Sequence, residues 1–288
     1  MTQSDSPDSA PIESADTLTP SERRRLRFRN IPIRIVLPNL VTLLALCMGL
    51  TAIRFAAEGR FDMAVTAVMA AAVFDGLDGR LARALKGTSR FGAELDSLAD
   101  FVDFGVAPAL VLYFWLLNEV KSLGWFAALA FAIACALRLA RFNVMIDDPK
   151  RPAWHADFFV GMPAPAGAVC VLLPMYLHLS ALELPRAKFM APFIILYVLA
   201  IAGLMASRIP HFSGKRIGRI PRDLVIPLLF GVGATVLLLA TFPMELLVVV
   251  SLAYLASIPF SVKRYRAHAA EETATAAAAT AEATPDAG

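Results

Sequence analysis

Four aspartates between positions 75 and 100 have the types and spacing that could do chemistry. Asp75 and Asp78 are three residues apart, and Asp96 and Asp100 are four apart. Either spacing puts both members of a pair on one face of a helix. Four carboxylates within a few ångströms of one another need compensating positive charge if all are to stay ionised. We therefore expect the two pairs to face each other and to bind cations.

The donor set predicts which cations these are. Carboxylate oxygens favour hard divalent ions, and the stretch from 75 to 100 contains no His or Cys, which argues against zinc. Two divalent cations, Mg²⁺ or Mn²⁺, would balance the four negative charges. A pair of such ions about 3.5–4 Å apart can clamp a phosphoryl group during a displacement reaction.

Small residues and an arginine lie between the aspartate pairs. Gly79 and Ala82 lie on or beside the face of the first pair, and Gly92 lies one turn before the second, so a ligand and a facing helix have room. Arg83 can hold a phosphate oxygen in a planar fork that Lys could not copy. Helix caps, packing glycines and interfacial ion pairs would explain any one of these residues. All eight positions together favour a site.

Apolar helices must position these residues. The chain has 288 residues, of which 58% are hydrophobic and 18% charged, whereas soluble domains are about 45–50% apolar. Apolar stretches predict eight membrane spans. They lie near 38–57, 61–79, 95–117, 124–143, 160–180, 188–206, 223–242 and 244–262. We therefore expect an all-α, multi-pass membrane helix bundle.

The distribution of basic residues predicts the orientation of the bundle. Of the 27 Lys and Arg residues, 22 fall on one side of the eight-span topology. Such an excess is typical of the cytoplasmic side, so both termini and the aspartate stretch are expected there. Basic residues beside apolar spans give no reason to expect a nucleic-acid partner. We expect an inner (cytoplasmic) membrane protein.

Composition divides the chain into three parts. Residues 1–30 are expected to be a disordered, basic segment, residues 31–262 a transmembrane catalytic domain, and residues 263–288 a disordered or weakly helical tail. The three cysteines all lie inside apolar runs, which argues against a disulfide framework.

The aspartate stretch matches a known signature. It reads D-x-x-D-G-x-x-A-R-x8-G-x3-D-x3-D, and every fixed position resembles the signature of the CDP-alcohol phosphotransferases. The resemblance implies a six-helix catalytic core, usually dimeric, with two divalent metals in a site that opens to the cytoplasm. It implies that Asp75, Asp78 and Asp96 are metal ligands. It also implies that Asp100 is both a ligand and the catalytic base.

A second motif precedes the aspartates. The sequence Pro-Asn-Leu-Val-Thr at 38–42 resembles the PNxxT entry of the same family, whose Asn and Thr lie near the nucleotide diphosphate. The resemblance implies that CDP-diacylglycerol is bound by these two residues and by the small residues and arginine of the signature. The expected set is Asn39, Thr42, Gly79, Ala82, Arg83 and Gly92.

Further stretches resemble one branch of the family, the bacterial membrane-bound phosphatidylserine synthases. They are GAELDSLADFVDFGVAPA at 92–109, ALRLARFN at 136–143, GMPAPAGA at 161–168 and ASRIPHFSGKR at 206–216. Eight spans also fit that branch. This resemblance implies L-serine as the acceptor, phosphatidylserine and CMP as the products, and a homodimer among membrane lipids.

Other polar residues have two interpretations each. Arg138, Arg141 and Asn143 either supply orientation charge at a helix end or bind the carboxylate or phosphate of the acceptor. The basic loop 213–216 either carries cytoplasmic charge or contributes to the site. Asp103, where the branch usually has a small polar residue, either binds substrate or is solvated in the cleft.

Three alternatives remain open. A sibling enzyme that uses glycerol 3-phosphate or an inositol phosphate would need further cationic residues for the second phosphate. Membrane prenyltransferases also have aspartate-rich pairs and Mg²⁺, but they lack the Gly-x-x-Ala-Arg element. A divalent cation transporter with a carboxylate site would show metal flux and no CMP release.

Overall fold

The computed structural model describes residues 33–146, 158–212 and 222–282, and nearly all of them are helical. The α-helices are α1 (Ile33–Ala57), α2 (Phe61–Ala84), α3 (Arg90–Asp100), α4 (Ala107–Trp115), α5 (Ser122–Ile146), α6 (Ala164–Val171), α7 (Leu173–Leu179), α8 (Ala191–Ala206), α9 (Arg222–Thr241) and α10 (Pro243–Glu282). A π-helical segment, Phe101–Val106, joins α3 to α4, and 3₁₀ turns cover Leu117–Val120 and Lys188–Met190. Two three-residue strands, β1 (Phe158–Val160) and β2 (Pro210–Phe212), pair antiparallel. The predicted all-α class is confirmed.

Within the described residues, five stretches are long and apolar enough to cross a membrane, so the chain is a multi-pass membrane protein. They are Ile33–Ala57, Arg90–Trp115, Ser122–Met145, Lys188–Ala206 and Pro243–Tyr265. Each coincides with one of the predicted spans. Of the other three, 61–79 lies in α2, 223–242 lies in α9, and 160–180 is divided between α6 and α7. The total of eight spans and the orientation of the termini stay predictions.

A face of small residues lets α1 and α2 pack closely. The buried positions of α1 recur every three or four residues and are Pro38, Thr42, Ala45, Gly49, Ala52 and Ala56. Those of α2 include Ala64, Ala67 and Ala71. Without a hydrophobic driving force between helices in lipid, close backbone approach at small residues is what holds such helices together. This pairing fixes α2, which carries the first aspartates, against α1.

The connection from α2 to α3 is shorter than the sequence predicts. The predicted spans 61–79 and 95–117 leave residues 80–94 between them, but α2 continues to Ala84 and α3 begins at Arg90. The run of Ala, Leu and Arg after Gly79 has high helix propensity, which extends α2 by a turn. Gly87 lies against the backbone carbonyl of Arg34, where any side chain would collide, so the loop sits directly on the start of α1.

Helix α5 packs against the π-helical segment that follows α3. A methyl group on Gly105 would meet Cys135 Cβ at 3.0 Å, so these two elements are in close contact. Phe104 and Phe131 are fully buried beside this contact and belong to the main core. The aspartate-bearing helix is therefore supported from two sides, by α1 and by α5.

The last helix continues past its predicted end. The final span was expected to end near 262, with a disordered or weakly helical tail from 263, but α10 extends to Glu282. An alanine-rich sequence has high helix propensity, which accounts for the continuation. The expected disordered segment 1–30 and the basic loop 213–216 lie outside the described residues.

Candidate active site

The first three aspartates of the signature meet in space. One carboxylate oxygen each from Asp75 and Asp78 of α2 and from Asp96 of α3 can be chosen so that all lie within 4.8 Å of one another. Divalent ions bind oxygen ligands at about 2.0–2.6 Å. The carboxylates of this cluster are therefore close enough to share an ion. The oxygen-only donor set fits Mg²⁺ or Mn²⁺ rather than zinc.

Asp100 completes the cluster. Its carboxyl group lies within hydrogen-bonding distance of the Asp75 carboxyl group, and it is close enough to Asp96 for their charges to repel. The four aspartates thus form one continuous acidic surface between α2 and the end of α3. Such a surface requires compensating charge, from bound cations or from protons.

Thr42 of α1 holds one of these carboxylates. Its hydroxyl lies 2.6 Å from Asp78 Oδ2 and 3.2 Å from the carbonyl oxygen of Pro38, one turn earlier. Both Thr42 and Asp78 are buried. Thr42 is expected near the nucleotide diphosphate, and the structure adds a second contact, a hydrogen bond to a carboxylate of the cluster that could hold a metal ion.

A cavity of about 260 Å³ opens beside the cluster. Its walls come from the start of α1, the end of α2, the connecting loop and the start of α3. All six residues expected to bind CDP-diacylglycerol line it, together with two of the aspartates. They are Asn39, Thr42, Gly79, Ala82, Arg83 and Gly92, with Asp78 and Asp96.

The two glycines of the signature that line this cavity differ in how tightly they are packed. A methyl group on Gly92 would lie 2.8 Å from Asn39 Oδ1, so a side chain there would displace the asparagine. A methyl group on Gly79 would lie 3.6 Å from Nη1 of Arg83, on the cavity wall. The Arg83 side chain itself is exposed, and in the described part of the chain it makes no ion pair. Its guanidinium is thus available to an anionic ligand.

Five further residues line the cavity, and two of them have hydroxyl groups that sequence reasoning missed. These two are Thr88 and Ser89, in the loop before α3. Ser89 is the N-cap of α3, and its Oγ accepts a hydrogen bond from the Gly92 backbone N–H at 3.0 Å. Serine is among the residues strongly preferred at the N-cap, immediately before the first helical residue. That signal could have placed the start of α3 at the cavity.

The three candidate acceptor residues have different surroundings. Arg138 is 8% exposed, stacks over the ring of Phe142 with 5.2 Å from Cζ to the ring centroid, and is close enough to Asp100 for their charges to attract. Asn143 is exposed, and its Nδ2 donates to Ser97 Oγ at 3.0 Å. Of the three, Arg138 is the one whose charge interacts with an aspartate of the cluster.

Arg141 is engaged elsewhere. Its Nη1 donates hydrogen bonds to the carbonyl oxygens of Ala206 at 2.9 Å and Ser207 at 3.0 Å. These carbonyls lie at the C-terminal end of α8, where the last backbone acceptors have no partner within the helix. Arg141 therefore caps α8, and this contact ties α8 to α5.

Asp103 lies one turn beyond Asp100, in the π-helical segment. It is 1% exposed, and neither of its carboxylate oxygens has a hydrogen-bond partner among the described residues. The alternative that Asp103 is solvated in the cleft is therefore wrong.

Comparisons with known proteins agree with this geometry. The family model of the CDP-alcohol phosphatidyltransferases matches residues 35–208. A protein of Mycobacterium leprae named CDP-diacylglycerol–serine O-phosphatidyltransferase is 41% identical over 253 residues, which cover 87% of this chain and 80% of the relative. Proteins of the same name from Helicobacter pylori and Methanocaldococcus jannaschii are 39% and 35% identical, over 73% and 87% of their own lengths and 62% of this chain. The chain belongs to the CDP-alcohol phosphatidyltransferase family.

Proposed function

We propose that this protein transfers the phosphatidyl group of CDP-diacylglycerol to the hydroxyl of L-serine, giving phosphatidylserine and CMP. The observation that carries the proposal is the cavity beside the aspartate cluster, which brings together all six expected nucleotide-binding residues and two carboxylates. The names and extents of the relatives support the same substrates.

The cavity is suited to the head of a nucleotide lipid. Asn39 and the hydroxyl-bearing loop residues Thr88 and Ser89 offer hydrogen bonds, and the exposed Arg83 offers a guanidinium to the pyrophosphate. Many apolar side chains of α1, such as Leu40, Leu43 and Leu44, are exposed beside it. In a membrane these positions face acyl chains, so a lipid can keep its tails in the bilayer while its head enters the cavity.

The aspartate cluster is the proposed metal site. Asp75, Asp78, Asp96 and Asp100 would hold two divalent cations, Mg²⁺ or Mn²⁺, which fit the oxygen-only donor set. The ions would neutralise the pyrophosphate and stabilise the charge that develops on the departing phosphate. Thr42 keeps the Asp78 carboxylate in place by donating to its Oδ2.

Asp100 is the proposed general base. It takes the proton from the serine hydroxyl, whose oxygen then forms a bond to the β-phosphorus of CDP-diacylglycerol. The bond between that phosphorus and the bridging oxygen breaks, and the bridging oxygen leaves with CMP. Asp100 is suited to this role because it lies at the edge of the cluster, between Asp75 and the buried Arg138.

Arg138 is the strongest candidate for the acceptor carboxylate. It lies within reach of the proposed base, and an arginine can bond a carboxylate with two parallel hydrogen bonds. Arg141 and Asn143 are bonded to other parts of the protein, which assigns them a supporting role.

The distribution of basic residues and the family resemblance support a proposal for the location, orientation and oligomeric state of the enzyme. We propose an inner-membrane protein whose site faces the cytoplasm, because its basic residues cluster at that side of the eight-span topology. We also propose that it functions as a homodimer among membrane lipids, as the family resemblance implies.

The decisive experiment is CMP release by the purified protein in lipid vesicles. It would be supplied with CDP-diacylglycerol, a divalent ion and one acceptor at a time, namely L-serine, glycerol 3-phosphate or an inositol phosphate. We expect release with L-serine and formation of phosphatidylserine. Release only with a phosphorylated acceptor would identify a sibling enzyme. Metal flux into vesicles without CMP release would identify a transporter.

A further inference from the structure

The buried Asp103 carboxylate lacks a partner that its environment requires. Burying a carboxylate without hydrogen bonds or a counter-charge is costly. Both Asp103 oxygens are nevertheless without hydrogen-bond partners among the described residues, where no ion pair includes Asp103 either. The group also lies close enough to Asp75 and Asp78 for their negative charges to repel it. A cationic group supplied from outside the protein would compensate the negative charge of Asp103.

The surrounding helices make room for this carboxylate. Gly49 of α1 lies directly against it, and a methyl group at that position would collide with Asp103 Oδ1. The π-helical segment places Asp103 on the side that faces α1, and such segments are frequent at functional sites. The fold thus accommodates an acidic side chain at a position where burying an apolar one would cost less free energy.

The position of Asp103 relative to the proposed base restricts what the partner can be. Asp100 and Asp103 each lie close enough to Asp75 for their charges to interact, so both carboxylates border the same part of the cluster. A ligand whose hydroxyl lies at Asp100 therefore has its neighbouring substituents close to Asp103. On the other side, α5 packs against the same segment through Cys135, one turn before Arg138.

We propose that Asp103 binds the ammonium group of the acceptor and so selects an amino alcohol. The inference rests on the proposed function and adds to it the group that recognises the amine. The hydroxyl of L-serine would lie at Asp100, its ammonium at Asp103 and its carboxylate at Arg138. An extra buried carboxylate repels a phosphorylated acceptor, so the same residue disfavours glycerol 3-phosphate.

The test compares Asp103→Asn with the parent protein at saturating CDP-diacylglycerol. Acceptors would be L-serine, and 3-hydroxypropionate, which keeps the hydroxyl and carboxylate but lacks the ammonium. We expect the KM for serine to rise about tenfold or more, because a charge-assisted hydrogen bond is lost. The preference for serine over 3-hydroxypropionate should fall by a similar factor. The KM for CDP-diacylglycerol and the divalent-ion requirement should stay unchanged.

Two variants complete the design. Asp62→Asn makes the same chemical change at an exposed position in the first turn of α2 and should behave like the parent. Asp103→Ser removes the carboxylate with a smaller side chain. Because an unpaired buried charge is removed, both Asp103 variants should unfold at a temperature no lower than the parent does without serine.

Several results would overturn the proposal. They are an unchanged serine KM with unchanged preference, a changed metal requirement in place of a changed serine requirement, and loss of folding in both Asp103 variants. The last would mean that the carboxylate stabilises the protein itself. If the parent protein releases no CMP with serine, the proposed function fails instead, which the same assay reports separately.

Discussion

The Thr42 hydroxyl donates a hydrogen bond to Asp78 Oδ2 at 2.6 Å, across 36 residues of chain and between two helices. This bond joins the PNxxT motif to the aspartate signature. A metal-binding carboxylate that is oriented by a buried hydroxyl is held ready for its ion, and losing such support typically costs about 10–100-fold in metal affinity or activity.

Thr42→Val should therefore raise the divalent-ion concentration needed for half-maximal CMP release by about tenfold or more. Valine keeps the shape and removes the donor, whereas Thr42→Ser keeps the donor and should stay near the parent. Thr51→Val is a matched control, because that hydroxyl, on the same helix, bonds only the Cys47 carbonyl among the described residues. Equal metal requirements in the Thr42 and Thr51 variants would contradict this role.

Asp96→Asn and Asp100→Asn should each abolish transfer while the protein still inserts and folds. An amide is a poorer ligand for a divalent ion than a carboxylate, and it is no base. The measurement is CMP release, with thermal unfolding in detergent as the check on folding. Near-normal release by either variant would remove that aspartate from the proposed mechanism.

Chelation should abolish activity, and Mg²⁺ or Mn²⁺ should restore it. Three carboxylates that lie within 4.8 Å of one another repel unless cations bind between them. The protein would be treated with EDTA, dialysed and assayed with each ion added back. Full activity after exhaustive metal removal would exclude the two-ion site.

Arg83→Lys should weaken the use of CDP-diacylglycerol more than the use of the acceptor. Lysine keeps the charge but loses the planar fork that bonds phosphate oxygens. The expected result is a higher KM for the nucleotide lipid with a serine KM close to that of the parent. Arg80→Lys, one turn earlier and also exposed but not on the cavity wall, is the matched control. Unchanged kinetics for the nucleotide lipid in the Arg83 variant would refute the assignment.

Arg138→Ala should change the kinetics with serine, whereas Arg141→Ala should change the stability of the protein. Loss of Arg138 should raise the serine KM about tenfold or more, roughly 1.4 kcal/mol, with little change in the KM for CDP-diacylglycerol. Arg141→Ala should instead lower the unfolding temperature, because it leaves the Ala206 and Ser207 carbonyls without this partner. If Arg138→Ala keeps the serine dependence of the parent, the acceptor carboxylate is bound elsewhere.

The local parts of the site could be predicted from the sequence. The spacing of Asp75, Asp78 and Asp96 specifies helix faces, and apolar flanks specify membrane helices, so the meeting of the carboxylates follows. Gly92 could likewise be interpreted as a position of close approach, which the structure supports.

Long-range contacts could not be predicted in this way. The bond from Arg141 to the end of α8 joins residues 65 apart, and nothing in the sequence near Arg141 indicates its partner. The burial of Asp103 also depends on α1, because Gly49 lies directly against its carboxylate. The division of the predicted span 160–180 into α6 and α7 was missed for a local reason. Pro174, in the first turn of α7, removes a backbone donor within the apolar stretch 160–180 that the hydropathy pattern shows as one span.

The π-helical segment Phe101–Val106 also constrains how the length of the chain can vary. One residue more or less in an α-helix rotates everything beyond it by about 100°. A π-helical segment takes up one extra residue locally, so deleting a single residue between Asp100 and Ala107 would return this segment to α-helical geometry and change where the side chains within it point, Asp103 among them. Chimeras that join the catalytic half of one relative to the outer half of another should therefore keep the number of residues here unchanged, even where every side chain differs.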